Sequence, residues 1–146
     1  MNLEVLVSRD YVYCIPLRYM MIETLSFILP KLLFYDPPRL LHYHYNTNNN
    51  ERMLIISLDG FIKLEPYLNN NIFIQKYNIV QIMNTQEIIN DAGVVSQISN
   101  LFSQANISIL YLTTLENNFI LFDTESYDKA IIILSELTDI ILYDNC

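Results

Sequence analysis

Residues Asn90–Asp123, NDAGVVSQISNLFSQANISILYLTTLENNFILFD, carry the pattern that decides the fold. Val94, Ile98, Leu101, Phe102 and Ala105 recur at three- and four-residue steps, and Ser96, Gln97, Ser99, Asn100, Ser103 and Gln104 fill the opposite side. That spacing predicts an amphipathic helix with one dry face. Gly93, just after Asp91, sits at its mouth, where a glycine suits a tight loop. Two strand-like runs follow, Ile107–Thr114 and Asn118–Asp123, and the short polar gap between them predicts a hairpin. Side chains alternate along a strand, so Ile107, Ile109 and Tyr111 share one face and Leu110 and Leu112 the other. Both faces are apolar, which predicts cover on both: helices on one side, a second subdomain or subunit on the other.

Outward from this stretch the pattern continues. Ile72–Met83 reads as one long strand or two short ones. Beyond the hairpin, Glu125–Leu137 reads as a helix with Tyr127, Ala130, Ile131, Leu134 and Leu137 inward, capped by Asp123 or Thr124. Thr138–Tyr143 closes as a strand. The order is β-α-β-β-α-β, the ferredoxin-like arrangement, which hosts many functions.

Upstream, Leu3–Val7 and Tyr11–Leu17 read as paired strands joined by a turn at Ser8-Arg9-Asp10. A helix runs from Leu17 or Arg18 to Phe34, with Met21, Leu25, Ile28, Leu29 and Leu32 as its dry stripe and Pro30 as a kink. Leu40–Tyr45 and Met53–Leu58 are strands around an Asn-rich loop, Asn46–Asn50, and a short helix, Phe61–Leu64, follows Asp59-Gly60. The only two glycines, Gly60 and Gly93, each follow an Asp where a loop enters a helix. The halves therefore read as degenerate copies of one unit. The expected fold is α+β: tandem ferredoxin-like subdomains, residues 1–70 and 71–146, with antiparallel sheets and helices on one face.

The 146 residues suffice for one ordinary domain or two small ones, and half are hydrophobic. A formal charge of −8 argues against nucleic acid and anionic membrane surfaces, since both need a basic face. The most apolar stretch, Tyr11–Tyr35, is interrupted by Arg18, Glu23 and Lys31, so it reads as buried helix and not as a membrane span. Two cysteines, Cys14 and Cys146, make no disulfide framework. The amino terminus lacks the basic region of a signal peptide. The expectation is a cytoplasmic protein.

No catalytic constellation is present. There is no glycine-rich phosphate loop, GxSxG elbow or HExxH. His42 and His44 share a strand face, but no third metal ligand is near them in the sequence. Glu87 and Asp91 read as dipole and solubility features. The reading is a protein that is not an enzyme and has no metal site or cofactor.

Asn106-Ile107-Ser108-Ile109, then Thr113-Thr114-Leu115-Glu116-Asn117-Asn118-Phe119-Ile120-Leu121-Phe122, then Glu125-Ser126-Tyr127-Asp128 form a sequence of motifs. They resemble an ACT domain, and most closely the CASTOR (GATS-like) arginine-sensor family and its short bacterial relatives. There the corresponding runs read "GIS(V/I)", "STYxTDFILV" and an acid-led helix. In the first half, Lys31–Phe34, the strand Met53–Leu58 and Asp59-Gly60-Phe61 follow the family's order more loosely.

The resemblance implies an amino-acid site at an interface between two ACT units. It places Ser108 and Ile109 at the ligand's main-chain groups, Asn90, Gly93 and Val94 in the neighbouring loop and helix start, and Thr114 and Asn118 at hairpin positions. Two residues depart from the family. Asn118 replaces an acid that faces the guanidinium in arginine sensing, and an Asn supplies no charge. Leu115 replaces an aromatic. The resemblance thus leaves the identity of the amino acid open. The implied function is a non-catalytic amino-acid-binding regulatory protein, CASTOR-like in nutrient (TOR pathway) signalling, with a homodimer or a regulatory protein as partner. The alternative is a ligand-independent ACT scaffold for dimerisation or assembly.

Overall fold

The computed structural model describes residues 3–17, 22–69, 72–84, 92–114, 117–137 and 140–144. In chain order the elements are β1 (Leu3–Pro16), α1 (Ile22–Phe34), β2 (Leu41–Asn46), β3 (Glu51–Ser57), α2 (Leu58–Leu64), β4 (Gln75–Asn84), α3 (Ala92–Gln104), β5 (Ile109–Thr113), β6 (Asn118–Asp123), α4 (Tyr127–Leu137) and β7 (Ile140–Asp144). The run β-α-β-β-α occurs twice, as expected of tandem ferredoxin-like units. Short 3-10 turns follow α2, at Glu65–Tyr67, and precede α4, at Thr124–Ser126.

The chain forms two compact units. One comprises residues 1–9 and 77–146, the other residues 10–76. They are called unit 1 and unit 2 below. The sequence places a boundary near residue 70; the amino-terminal residues group with the carboxy-terminal half.

In unit 1 the sheet order is β7-β1-β4-β6-β5, with β1 represented by its first residues. β6 pairs antiparallel with both β4 and β5. β7 pairs parallel with β1, Glu4 opposite Ile140 through Ser8 opposite Asp144. A chain-local reading expects a closing strand to return beside β4. The amino-terminal strand occupies that place instead, so one ladder is parallel. Alternation then sorts the faces. Val5, Val7, Val80, Ile82, Ile120 and Phe122 meet Val94, Ile98 and Phe102 of α3 and Ala130, Ile133 and Leu134 of α4 in one buried cluster. Both helices thus lie on one face. Phe102 and Phe122 are fully buried, ring centroids 6.1 Å apart. Burying each stabilises the unit by about 1.5–3 kcal/mol.

In unit 2, β1 pairs antiparallel with β3 and β3 with β2. Tyr13, Ile15, Leu54 and Ile56 pack against Leu25, Ile28 and Leu32 of α1 and Leu64 of α2. Phe61 stacks on Tyr13 with centroids 3.9 Å apart and planes 4° from parallel.

Three local expectations change. Leu3–Val7 and Tyr11–Leu17 are not a hairpin: Ser8-Arg9-Asp10 continues the single strand β1. Polar residues suggested a turn there, but the two ends of β1 find different partners, β7 and β3, and need no reversal. Asp59-Gly60 lies inside α2, because the Ser57 hydroxyl and the Arg39 N–H engage Asp59 and start the helix earlier. Ile133, absent from the expected inner face of α4, is buried. Cys14 is buried, and desolvation pushes its thiol up to about 11.

Candidate functional site

The candidate site begins at α3. Its carboxy end is fixed by a Schellman motif. Ile107 N–H donates to the Phe102 carbonyl at 2.9 Å and Asn106 N–H to that of Ser103 at 3.0 Å. Asn106 takes φ 57°, a left-handed position that glycine or asparagine tolerates. Ile107 then drops into the core, and Ser108 emerges exposed just before β5.

β5 is the outer strand of unit 1 among the described residues. Ile109, opposite Phe122, is half-buried against the core. Five residues on, Thr114 closes the hairpin. Its N–H donates to the Asn117 carbonyl at 2.8 Å, its hydroxyl donates to the same oxygen at 3.1 Å, and Asn117 N–H donates to that hydroxyl at 3.0 Å. Gln81 Nε2 donates to Asn117 Oδ1 at 2.7 Å. The Thr114 hydroxyl is therefore engaged in holding the hairpin.

Asn118 opens β6 between Ile82 of β4 and Thr113 of β5 and is only 4% exposed. Alternation puts its amide on the face of Ile120 and Phe122, toward the helices. Val94 is buried in the core, so its side chain faces no solvent. Gly93, in the first turn of α3, is exposed, and a Cβ built there meets nothing within 4 Å. Nothing in the described residues requires glycine at that point.

The tight turn between α3 and β5 makes helix and strand run in opposite directions. Gly93, Val94, Thr114 and Asn118 therefore share one end of the unit. Ser108 and Ile109 lie at the other, about 17 Å away along a five-residue strand. One copy of the unit does not bring the two groups together. Asn90 and Leu115 lie outside the described residues.

The first-turn N–H groups of α3 and the positive end of its dipole are of a kind that suits a carboxylate. The buried amide of Asn118 faces the helices at this end of the sheet, whereas Gln81, opposite Phe119 and between Val80 and Ile82, bonds Asn117 on the other face. Sequence reading passed over Gln81 and Asn117. A lone Gln in the apolar run IVQIM was the available sign. His42 and His44 fall on the face of β2 opposite Tyr43, and among the described residues no group of three or more His, Cys, Asp or Glu could hold a metal.

Residues 75–136, from β4 to the end of α4, match the family model of the ACT domain. No curated protein matches the chain by sequence. Several solved structures match by fold. A protein from Agrobacterium tumefaciens aligns over 100% of this chain and 96% of its own, at 9% identity and a TM-score of 0.69. The regulatory subunit of aspartate kinase from Thermus flavus aligns over 93% of this chain and 96% of its own, at 10% identity and a TM-score of 0.57. Aspartate kinase from Synechocystis aligns over 98% of this chain at 15% identity and a TM-score of 0.70, but this chain spans only 28% of that enzyme. At such identities the likeness is one of fold. One of these neighbours is a regulatory subunit of aspartate kinase and another is a whole aspartate kinase. Among the described residues no helix is long and apolar enough to cross a membrane.

Proposed function

We propose that this chain is a non-catalytic regulatory protein that binds a free amino acid at the Gly93 end of unit 1 and signals through protein–protein contacts. The observation that carries the reading is the ACT match over residues 75–136 together with the open space beside Gly93. The ligand carboxylate meets the first-turn N–H groups of α3, and a further ACT unit closes the site by presenting its own strand at the position of Ser108 and Ile109. The resemblance of residues 106–128 to the CASTOR family supports a cytoplasmic role in nutrient sensing of the TOR-pathway kind.

Thermal unfolding against a panel of free amino acids tests this. The ligand stabilises the native state by about 2.7 kcal/mol at a hundredfold excess over its dissociation constant. Gly93→Val, whose Cβ meets nothing within 4 Å, abolishes that shift without lowering the unliganded midpoint. A well-folded chain that no amino acid stabilises sinks the reading.

A second reading, a ligand-independent scaffold for assembly, is favoured by one observation. The Thr114 hydroxyl is engaged within its hairpin, which removes a contact the resemblance implied. It expects identical oligomeric states with and without amino acids.

A further inference from the structure

The charge of the chain is divided unequally. Residues 10–76 hold six Lys and Arg and six Asp and Glu, a net charge of zero; residues 1–9 and 77–146 hold two and ten, the whole net charge of −8. An anion therefore meets less repulsion at unit 2 than at unit 1. Unit 2 has a groove of about 230 Å³ between α1 and the sheet. Leu25, Leu29 and Leu33 line one wall, at the four-residue step that sets side chains in a row along a helix, and the Pro30 ring lies beside them. Tyr43 and Arg52 line the other wall. Tyr43 stands opposite Leu54, and Arg52 is two residues before Leu54 on β3. Leu54 packs against α1, so all three side chains stand on the helix-bearing face. Leu41, two positions earlier on β2, still packs against the core, whereas Tyr43 is 41% exposed. The groove opens where the closed core stops.

Arg52 is the one charged residue among the described lining residues. It is half-buried, and its guanidinium lies over the Tyr45 ring, 4.4 Å from the centroid. That contact engages the flat face of the group. Its N–H edge is what holds a carboxylate, through two parallel hydrogen bonds, and five donors can serve a ligand as well as partners within the protein. The remaining walls are mostly hydrocarbon. At about 30 Å³ for each water-sized group, the groove holds roughly eight such groups. Hexanoate has that many non-hydrogen atoms. An α-ammonium would be stripped of water against these walls with no acid among the described lining residues to receive it.

From this we propose that the groove binds a small monocarboxylate with an apolar body of hexanoate size and no amino group. The carboxylate sits on the Arg52 guanidinium and the hydrocarbon lies along Leu25, Leu29 and Leu33. This site belongs to unit 2 alone. It goes beyond the amino-acid reading of unit 1 and does not rest on it.

Amide chemical shifts of the full chain, followed while hexanoate is added, test the proposal. The amides of residues 25–33, 43 and 52 move and those of residues 92–137 do not. Affinity rises by up to about fourfold per methylene from butanoate to hexanoate, as burial of each CH₂ requires, and levels off by octanoate, when the groove is full. Hexan-1-ol, which lacks the charge, binds about tenfold or more weakly than hexanoate. In Arg52→Gln that gap closes while the affinity for hexan-1-ol stays the same. Leucine, which is 4-methylpentanoate with an amino group, binds the groove at least about tenfold more weakly than 4-methylpentanoate. Far-UV circular dichroism reports whether each variant stays folded. If Arg52→Gln does not fold, Leu33→Glu, at a helix position already 43% exposed, sets an acid in the groove and weakens hexanoate by about tenfold or more. Hexanoate that leaves residues 25–33, 43 and 52 unmoved overturns the proposal. So does a folded Arg52→Gln chain that keeps the gap between hexanoate and hexan-1-ol. Leucine binding as well as 4-methylpentanoate overturns it by making the groove an amino-acid site. N-acetyl-glycyl-leucine binding more tightly than every free carboxylate overturns it by assigning the groove to a peptide carboxy terminus.

Discussion

Gly60 and Gly93 look alike in the sequence, each shortly after an aspartate at the start of a helix, and the structure gives them opposite surroundings. A Cβ on Gly60 would lie 2.6 Å from Ile56 Cδ1 and 2.7 Å from Pro38 Cβ. On Gly93 it would meet nothing. Gly60 is glycine because the segment before β2 packs against α2. Gly93 has no such reason within the described residues. The same motif is a packing device in unit 2 and an open position in unit 1. The two units differ in charge in the same sense: neutral with exposed aromatics in one, strongly acidic in the other.

The largest expected effect concerns the cores. Phe102→Ala in unit 1 costs about 3–5 kcal/mol and Leu32→Ala in unit 2 about 2–5 kcal/mol, both read from urea unfolding. Hydrogen exchange then shows which amides each loss exposes: those of residues 77–137 for Phe102→Ala, those of residues 22–69 for Leu32→Ala. Gly60→Ala comes next. Overpacking against Ile56 and Pro38 destabilises by about 1–3 kcal/mol. Gly93→Ala does the reverse, stabilising by about 0.4–1 kcal/mol through lost freedom of the unfolded chain. If the two alanine variants shift the unfolding midpoint in the same direction, the contrast between the glycines is gone.

Smaller changes probe single contacts. Asn106→Ala forces an ordinary residue into the left-handed position and costs about 1–2 kcal/mol, while Asn106→Gly costs nothing measurable. Equal losses in both would mean the side chain, and not the backbone, holds that turn. The smallest effect is electrostatic. Burial alone raises the Asp59 carboxyl, but hydrogen bonds from Ser57 and from the Arg39 and Gly60 N–H groups outweigh it and hold it below its ordinary 3.8. A lowered folded value means its contribution is complete above the ordinary value and disappears as pH falls through the folded one. Asp59→Asn therefore lowers stability near neutrality by what the carboxylate contributes there and flattens the acid limb of the stability–pH curve below about pH 4.

The helix of residues 92–104, the hairpin after it and the helix of residues 127–137 were all legible from spacing, because each buries one face and a buried face imposes its period on the sequence. Asp123 as the cap of the last helix was legible for a similar local reason, and its side chain accepts from Ser126 N–H at 3.0 Å. The resemblance of residues 106–128 found the ACT fold for the same segment that matches the family model.

Other features required the folded chain. Ser8-Arg9-Asp10 has the composition of a turn, yet it is strand, because hydrogen bonds to β7 and β3 outweigh a weak local preference. That the first strand stands between β7 and β4 follows from long-range pairing, such as Glu4 with Ile140, which no local period encodes. The separation of Ser108 from Gly93 is of the same kind. The motif lists them as neighbours in function, but only the reversal at Asn106 sets them at opposite ends of one strand. Local periodicity and capping chemistry thus write the elements into the sequence. Which strands meet, which glycine is crowded and which surface stays neutral are decided by long-range packing alone.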